Sequence, residues 1–310
     1  TVIRQRTIKN VIRGRGVGLH TGETVSLRLL PATVDTGVIF SRVDVEPAVD
    51  IPALSQHVSE TTLATTISSG ECRISTIEHL MSALYGLGID NVFVELSGPE
   101  MPLMDGCAGT FVFLLQSAGI EEQNAPKRFI RIKKPVSVTG PKGERWYDQT
   151  AALSPHDGFR LNHTIIYDNP VIKEQQASIE FSTTSYIKEI SRARTFGLMQ
   201  EFDSLREQNL AAGASLDNVV AVDEYQVLND GGLRHENEFV RHKILDAIGD
   251  LYLLGHPIIG EFTGHKSGHA AHHALREELL QQPDAWEMVT FESGDEPAPR
   301  LYSEIPAAEG

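Results

Sequence analysis

The 310-residue chain is 41% hydrophobic and 22% charged, a composition typical of a folded globular protein. Its formal net charge of -15 argues against a nucleic-acid partner, because a duplex-binding surface needs clustered cations. The sequence has no apolar run long enough to cross a membrane and no signal-peptide pattern at residues 1–4, so we expect no stable membrane insertion. The two cysteines form no Cys-x-x-Cys pair, which favours a cytoplasmic location.

Period-two alternation and glycine stops predict strands and helices in the first half of the chain. A glycine-rich bend at 16–22 separates the first two strands. The predicted elements are, in chain order, strands at 2–12 and 23–30, a helix at 75–85, a strand at 91–96 and a helix at 107–118.

A short polar stretch at 121–126 ends in proline and is predicted to link two domains. The second half again places strands before helices, so the fold class expected is α+β. Its predicted elements are strands at 128–138, 145–152, 158–167 and 176–181, an irregular or helical insertion at 195–216, a strand at 218–222, a long helix at 236–254, a strand at 257–262 and a helix at 268–281.

These patterns predict the domain bounds. The N-terminal α+β domain is expected at 1–122, with a small insertion at about 40–66. The C-terminal α+β domain is expected at 127–295, with an insertion at about 195–222. Residues 296–310 are rich in Pro, Ala and Glu and are expected to form a flexible tail that buries little apolar area.

The long helix carries the strongest chemical pattern. His242, Asp246 and Asp250 are spaced by four residues, which places them on one helix face among apolar neighbours. His242 and Asp246 can therefore hold one cation, and a third protein ligand would leave the open position of a catalytic zinc site. A helix-face ion pair or a buried hydrogen bond explains the same spacing.

A second pattern is Ser-Thr-Ile-Glu-His-Leu at 75–80. In one interpretation His79 is the third metal ligand and Glu78 is a general base. In the other, Ser75 and Glu78 form a capping box at the start of a helix, and His79 is a buried core residue.

Two further patterns offer polar groups. Lys-Ser-Gly-His at 266–269 places His269 at a helix N-terminus, where a nearby Asp250 would favour its protonated form. His272 and His273 are expected on the surface. The arginines of Ser-Arg-Ala-Arg-Thr-Phe-Gly at 191–197 fit phosphate binding or pairing with acidic neighbours, and Thr195 can donate to an oxyanion.

The combination resembles the bacterial UDP-3-O-acyl-N-acetylglucosamine deacetylases, which act in lipid A biosynthesis. The resemblance covers about residues 3–292. It rests on the motifs at 16–22, 75–80, 104–106 (Met-Asp-Gly), 191–197, 238–250 and 266–269, which occur in one order.

The resemblance implies two similar domains, each a mainly antiparallel sheet with helices, with the helices packed between the sheets. It implies one zinc ion per chain on His79, His242 and Asp246, although two imidazoles and a carboxylate also suit iron(II). Glu78 would be the base and His269 the cationic partner or acid, supported by Asp250, with Thr195 and Lys243 near the oxyanion. The substrate would be a small acylated UDP-sugar, whose expected contacts are His20, Leu63, His163, Phe196, Met199, Phe202, Leu205, Ala211, Ser215, Val219 and Lys266.

The reaction expected is hydrolysis of the sugar's N-acetyl amide, releasing acetate and a free 2-amino sugar. The sequence does not separate His269 from Glu78 as the donor of a proton to the leaving amine. Two other functions stay open, another metal-dependent amidohydrolase and a non-catalytic nucleotide-sugar binding protein. We expect a monomer, because the chain shows no heptad pattern.

Overall fold

The computed structural model describes residues 2–292 and 296–303. Its first half is rich in short strands, with two helices late in the order. These elements are β1 Arg4–Ile8, β2 Ile12–Val17, β3 Thr24–Pro31, β4 Val38–Arg42, β5 Val49–Pro52, β6 Val58–Glu60, β7 Thr66–Ser69, β8 Cys72–Ile74, α1 Glu78–Leu87, β9 Val92–Leu96, α2 Gly109–Ala118 and β10 Ile120–Pro126.

The second half contains longer strands and the longest helices. Its elements are β11 Arg128–Ile132, β12 Val136–Thr139, β13 Thr150–Ser154, β14 Phe159–Ile166, β15 Glu174–Glu180, α3 Thr183–Ser185, β16 Phe196–Leu198, α4 Met199–Glu207, β17 Val220–Val222, α5 Glu238–Leu251, β18 Ile258–His265, α6 His269–Gln281 and β19 Trp286–Thr290. A π-helical turn at Tyr186–Ile190 follows α3.

Two main sheets enclose a layer of helices. The first has the strand order β2-β3-β9-β4-β5, and the second has seven strands between Arg128 and Thr290. Helix α2 packs on β2, α1 packs on α2 and α5, α5 packs on β14 and β15, and α6 packs on β12 and β13. Every one of the ten residues of α1 is buried, because this helix has neighbours on all sides. The predicted α+β class is confirmed, whereas the domain bounds stay a prediction.

Alternation within the strands explains which faces pack on the helices. In β3, Val25, Leu27 and Leu29 are buried while the residues between them are exposed or half-buried. Side chains of a strand point alternately to opposite faces, so this order leaves one apolar face for the core.

The predicted linker at 121–126 is wrong as local structure. These residues belong to β10, which pairs antiparallel with β1, for example Glu122 with Arg6. The carboxylates of Glu121 and Glu122 are exposed on this two-stranded ribbon, so the stretch is polar without being a loop. Polarity alone does not distinguish an exposed edge strand from a linker.

Residues 296–303 of the expected tail pack against the fold, whereas flexibility of the tail stays a prediction. Leu301 is only 2% exposed, and the backbone N–H of Thr183 donates to its carbonyl. Tyr302 lies under the Lys127 ammonium, 5.0 Å from the ring centroid. Residues 304–310 lie outside the described part of the chain.

Several other elements differ from the sequence expectation. The 2–12 and 128–138 regions each form two strands, and β13 begins at Thr150 rather than at 145. Strands β4 and β5, inside the expected 40–66 insertion, belong to the five-stranded sheet, whereas β6, β7 and β8 form a separate small sheet. No helix in the described ranges is both long and apolar enough to cross a membrane.

Candidate metal and catalytic site

Helices α1 and α5 approach closely at Gly249. A Cβ placed on this glycine would lie 2.0 Å from the carbonyl oxygen of Glu78 and 3.0 Å from the amide nitrogen of Ser82. Only a glycine allows this contact, since any larger residue would push the helices apart. The crossing brings the start of α1, with Glu78 and His79, beside the polar face of α5.

Three side chains from these helices converge on one point. Ligand atoms of His79, His242 and Asp246 all lie within 4.8 Å of one another, and all three residues are buried. Asp246 Oδ1 lies 3.3 Å from His79 Nε2 and 3.4 Å from His242 Nε2. Donor atoms on a tetrahedral ion with bonds of about 2.0–2.1 Å are separated by about 3.3 Å, so the spacing fits one zinc-sized cation.

The hydrogen bonding of this cluster also fits a cation. Asp246 Oδ1 is buried and makes no hydrogen bond with any residue in the described ranges. An unpaired carboxylate oxygen inside a protein is costly unless a charge compensates it. His242 Nδ1 donates to the carbonyl of Ala193 over 2.9 Å, which leaves Nε2 as the nitrogen that faces Asp246.

The same environment shifts His242 and Asp246 toward their ligand-competent forms, whereas His79 is shifted toward its protonated form in the absence of a cation. Burial lowers the pKa of His242 to about 4, so this ring is neutral near pH 7. Burial opposes ionisation of Asp246, yet its electrostatic interactions with the adjacent His242 and His79 rings outweigh burial and lower the pKa of Asp246. Burial disfavours a charged His79, but its close contact with the Asp246 carboxylate raises the pKa of His79.

Glu78 lies beside the cluster and faces a third imidazole, that of His269. Its Oε1 is 3.5 Å from His269 Nε2, and its Oε2 accepts a hydrogen bond from the backbone N–H of Thr65. The capping-box alternative is wrong, because α1 begins at Glu78 itself and no described side chain caps it. Burial raises the pKa of Glu78 to about 7, against the charges of His269 and His79.

His269 begins α6 and pairs with Asp250 of α5. Its Nδ1 lies 2.8 Å from Asp250 Oδ2. Burial disfavours the charged ring, yet the negative charges of Asp250 and Glu78 outweigh it and raise the pKa of His269 to about 10. The imidazole is therefore protonated at pH 7 and points its second N–H toward Glu78.

Two further residues complete this group, and sequence reasoning missed both. Thr65 donates its hydroxyl to Asp250 Oδ1 over 2.6 Å. His272, expected on the surface, is fully buried, with its Nδ1 2.7 Å from Asp250 Oδ2. The surface prediction was wrong because α6 lies against α5 on this face. The three-residue spacing from His269 was the signal available in the sequence, since such residues are neighbours on a helix.

A cavity of about 770 Å³ opens onto the cluster. His242, Asp246 and His269 form part of its wall. Five more residues expected from the sequence also line it, namely Leu63, Thr195, Phe196, Lys243 and Lys266.

Thr195 is held at this wall by its backbone. Its N–H donates to the carbonyl of Gly106 over 2.8 Å, and its carbonyl accepts from the N–H of Val220. Gly106 has a φ of 87°, and a Cβ there would lie 2.0 Å from the carbonyl oxygen of Asn218. The Met-Asp-Gly motif therefore contributes to the site through a backbone conformation that favours glycine.

A smaller cavity of about 210 Å³ lies within the 195–222 region. Met199, Phe202, Ser215 and Val219, four of the residues expected to contact the substrate, line it. Leu205 and Ala211 are not among its described lining residues. Ala211 is buried instead, and its N–H donates to His20 Nδ1 over 3.4 Å.

Two of the residues expected to contact the substrate, His20 and His163, do not line the larger cavity. His163 is 2% exposed, and its Nε2 lies 3.1 Å from Ser267 Oγ. His20 lies beside Ala211, on a loop whose backbone donates to Glu100. Neither is a wall residue of the described cavity.

The choice left open for Arg194 is decided by its surroundings. Its guanidinium contacts the carboxylate of Glu238, with Nε 2.8 Å from Oε1, and Glu238 is fully buried. Arg194 therefore fixes the start of α5 through an acidic neighbour. Its Nε donates to Glu238, and its Nη2 donates to Glu238 and to the carbonyl of Gly232.

Two imidazoles and a carboxylate that fit one cation, beside a carboxylate and an imidazole able to exchange protons, are typical of metal-dependent hydrolases. Comparison with known sequences agrees with this class. A sequence profile of the UDP-3-O-acyl N-acetylglycosamine deacetylase family matches residues 5–281. The chain belongs to this family, which is a family of metalloenzymes.

Curated relatives support the assignment over nearly the full length. A protein of Alcanivorax borkumensis named UDP-3-O-acyl-N-acetylglucosamine deacetylase is 59% identical over 303 residues, covering 97% of each chain. A protein of the same name from Hahella chejuensis is 58% identical, covering 97% of this chain and 98% of its own. A third, from Thioalkalivibrio sulfidiphilus, is 56% identical over 98% of each chain.

Proposed function

We propose that this protein hydrolyses the N-acetyl amide of a UDP-3-O-acyl-N-acetylglucosamine, releasing acetate and the free 2-amino sugar. This is the reaction named for its relatives and a step of lipid A biosynthesis. The observation that carries the proposal is the His79–His242–Asp246 cluster with Glu78 and His269 at its side. All five side chains lie within the matched segment.

His79, His242 and Asp246 would hold the metal ion. Zinc is the ion we propose, one per chain, because the donor spacing suits tetrahedral geometry and the donors are imidazole and carboxylate. A divalent ion bound there polarises the amide carbonyl and lowers the pKa of water toward about 7. Iron(II) accepts the same donors, so metal analysis of freshly purified protein separates the two.

Glu78 is the proposed general base. Its Oε2 is fixed by the Thr65 N–H, which leaves Oε1 facing His269 and the cluster. A bound cation would favour the ionised carboxylate over the neutral acid that burial favours. Glu78 then removes a proton from the attacking water.

His269 is the proposed cationic partner. Its Asp250 contact keeps the ring charged and directs Nε2 to the Glu78 side of the cavity. It can stabilise developing negative charge or give a proton to the leaving amine. Thr195 and Lys243, both in the cavity wall, are the proposed hydrogen-bond donors to the oxyanion.

The smaller cavity is the proposed site of the fatty-acyl chain, with Leu63 at the side of the larger one. Its wall combines the side chains of Met199 and Phe202 with those of Ser215 and Val219. Lys266 is the proposed diphosphate contact, since it is a cation on the wall of the larger cavity. Phe196 packs edge-on against the ring of Phe239, which fixes its orientation in the wall.

The decisive experiment measures acetate release from an acylated UDP-N-acetylglucosamine. We expect release by the metal-loaded protein, loss of release after dialysis against a chelator, and recovery on adding zinc. UDP-N-acetylglucosamine without the acyl chain is the matched control and should react far more slowly. Metal-loaded protein that releases no acetate would contradict the proposal.

The same assay separates the alternatives. Binding of the nucleotide sugar without acetate release would indicate a non-catalytic binding protein. Hydrolysis of simple N-acetylated peptides at comparable rates would indicate another metal-dependent amidohydrolase.

We also propose a cytoplasmic location and a monomeric state. Cys72 and Cys107 are both free thiols, which is typical of a reducing compartment. Light scattering at several protein concentrations measures the oligomeric state, and a concentration-dependent mass would contradict the monomer.

A further inference from the structure

The carboxylate of Asp250 is held from three sides. Its Oδ2 is 2.8 Å from His269 Nδ1 and 2.7 Å from His272 Nδ1, and its Oδ1 accepts the hydroxyl of Thr65 over 2.6 Å. Asp250 is fully buried, so these contacts fix its rotamer without competition from bulk solvent. His269 has a role in the reaction proposed above, whereas none has yet been given to His272.

The contacts of His272 continue away from the cavity. Its Nε2 lies 3.1 Å from Ser267 Oγ, and the same oxygen lies 3.1 Å from His163 Nε2. His272, Ser267 and His163 are each at most 2% exposed. Four buried groups therefore form one chain of hydrogen bonds, His163–Ser267–His272–Asp250.

The donor and acceptor roles of these four groups fix the direction of each hydrogen bond between them. A carboxylate only accepts, so His272 Nδ1 carries a hydrogen and donates it to Asp250. In the neutral ring the other nitrogen accepts, so the Ser267 hydroxyl donates to His272 Nε2. Ser267 then accepts from His163 Nε2–H, and this tautomer leaves His163 Nδ1 as a bare nitrogen. That atom is indeed buried without a partner among the described residues.

We propose that His272 is a positioning residue for the reaction, holding Asp250 so that the His269 ring presents its Nε2 toward Glu78. This assignment rests on the proposed function of the site. His272 is not in the described wall of the larger cavity, so its effect passes through Asp250. Ser267 and His163 support it by fixing the tautomer that donates to Asp250.

The charged groups around the His269 and His272 rings determine how loss of the His272 side chain would change the pKa of His269. Asp250 and Asp246 of α5 and Glu78 of α1 face His269. His269 and Asp250 face His272, together with Lys243 of α5 and with His163 of β14. Arg276 of α6 donates to the backbone carbonyl of Asp250 and adds positive charge nearby. Without the His272 donor, the charge of Asp250 would act more fully on His269.

The test compares His272→Leu, which removes the donor, with His272→Asn, whose amide nitrogen can replace Nδ1–H. For His272→Leu we expect kcat to fall about 10-fold or more with KM within about twofold, as for other partners of catalytic groups. The alkaline limb of its kcat–pH profile should move to higher pH. Asp250 would then have only one imidazole partner, so its charge would raise the pKa of His269 further. His272→Asn should keep kcat within about threefold and keep the wild-type profile.

Wild-type kcat and pH profile in His272→Leu would overturn the assignment, as would equal damage in His272→Asn. If thermal unfolding shows that His272→Leu does not fold, Ser267→Ala decides. It removes the donor to His272 Nε2 and should lower kcat about threefold with the same shift of the profile, whereas an unchanged profile contradicts the proposal.

A measurement without turnover keeps this test separate from that of the proposed function. In NMR spectra of metal-loaded protein with ¹⁵N-labelled histidine, the His269 Nδ1–H resonance should shift in His272→Leu and be retained in His272→Asn. Wild-type protein without acetate release contradicts the proposed function only. An unshifted His269 resonance in His272→Leu contradicts the positioning role only.

Discussion

At the residue scale, the proposed role of Glu78 as a general base can be tested directly by substitution. Replacing Glu78 by Ala removes the proposed base while the three metal ligands stay in place. We expect kcat to fall by at least about 10²-fold with bound metal unchanged, the low end for a general base. Metal analysis and acetate release on the same sample check both parts. Full activity with metal bound would refute the assignment.

The burial of His163, also a feature at the residue scale, predicts how the free energy of unfolding depends on pH. Burial lowers its pKa well below the ordinary value, and the charges of Lys243 and His272 act in the same direction. The unfolded chain therefore takes up a proton at about pH 6.5 that the folded chain refuses, so stability is full above that pH and falls below it.

We expect His163→Phe to show a smaller acid loss than the wild type. The difference should be about 1 kcal/mol in unfolding free energy between pH 6.5 and pH 5.5. Urea unfolding at both pH values, with zinc saturating, measures it. Equal losses in both proteins would show that His163 is not held neutral.

At the element scale, the site depends on how closely α1 and α5 cross. Gly249→Ala would place a methyl group 2.0 Å from the Glu78 carbonyl oxygen, so the helices must separate. We expect the unfolding free energy to fall by about 1–3 kcal/mol, as for other overpacked cores, and zinc affinity to weaken. Denaturant unfolding and zinc titration measure the two effects.

Gly231→Ala is the matched control for this substitution. A Cβ at Gly231 meets no atom within 4 Å, so the same chemical change should leave stability and zinc affinity near those of the wild type. Similar zinc affinity in Gly249→Ala and Gly231→Ala would show that the crossing distance does not set the ligand geometry.

At the scale of the whole molecule, residues 296–303 pack against the main core beside α3. Leu301 is 2% exposed and belongs to the main core, while its neighbour Arg300 is exposed. We expect Leu301→Ala to lower the unfolding free energy by about 2 kcal/mol or more, because it leaves a cavity. Arg300→Ala should change it by less than about 0.5 kcal/mol. Equal unfolding midpoints for Leu301→Ala and Arg300→Ala would contradict the conclusion that this segment packs on the core.

Local sequence patterns predicted the helices and strands whose residues repeat with helical or strand spacing. The spacing of His242, Asp246 and Asp250 predicted one helix face, and α5 presents it as expected. The polar ribbon at 121–126 and the buried His272 were missed for the same reason. Exposure of a polar residue depends on which element lies opposite, and that information is not local in the sequence.

The sequence by itself determined the fold class, the helix that carries His242 and Asp246, and the family motifs, because these depend on short-range spacing and residue chemistry. Only the tertiary structure decided that His79 meets this pair, that Glu78 starts a helix without a cap, and that Asp250 is shared by two imidazoles. The physical reason is the glycine-mediated contact of α1 with α5, which joins residues more than 160 positions apart. Such a contact depends on packing between distant segments, and no local pattern specifies it.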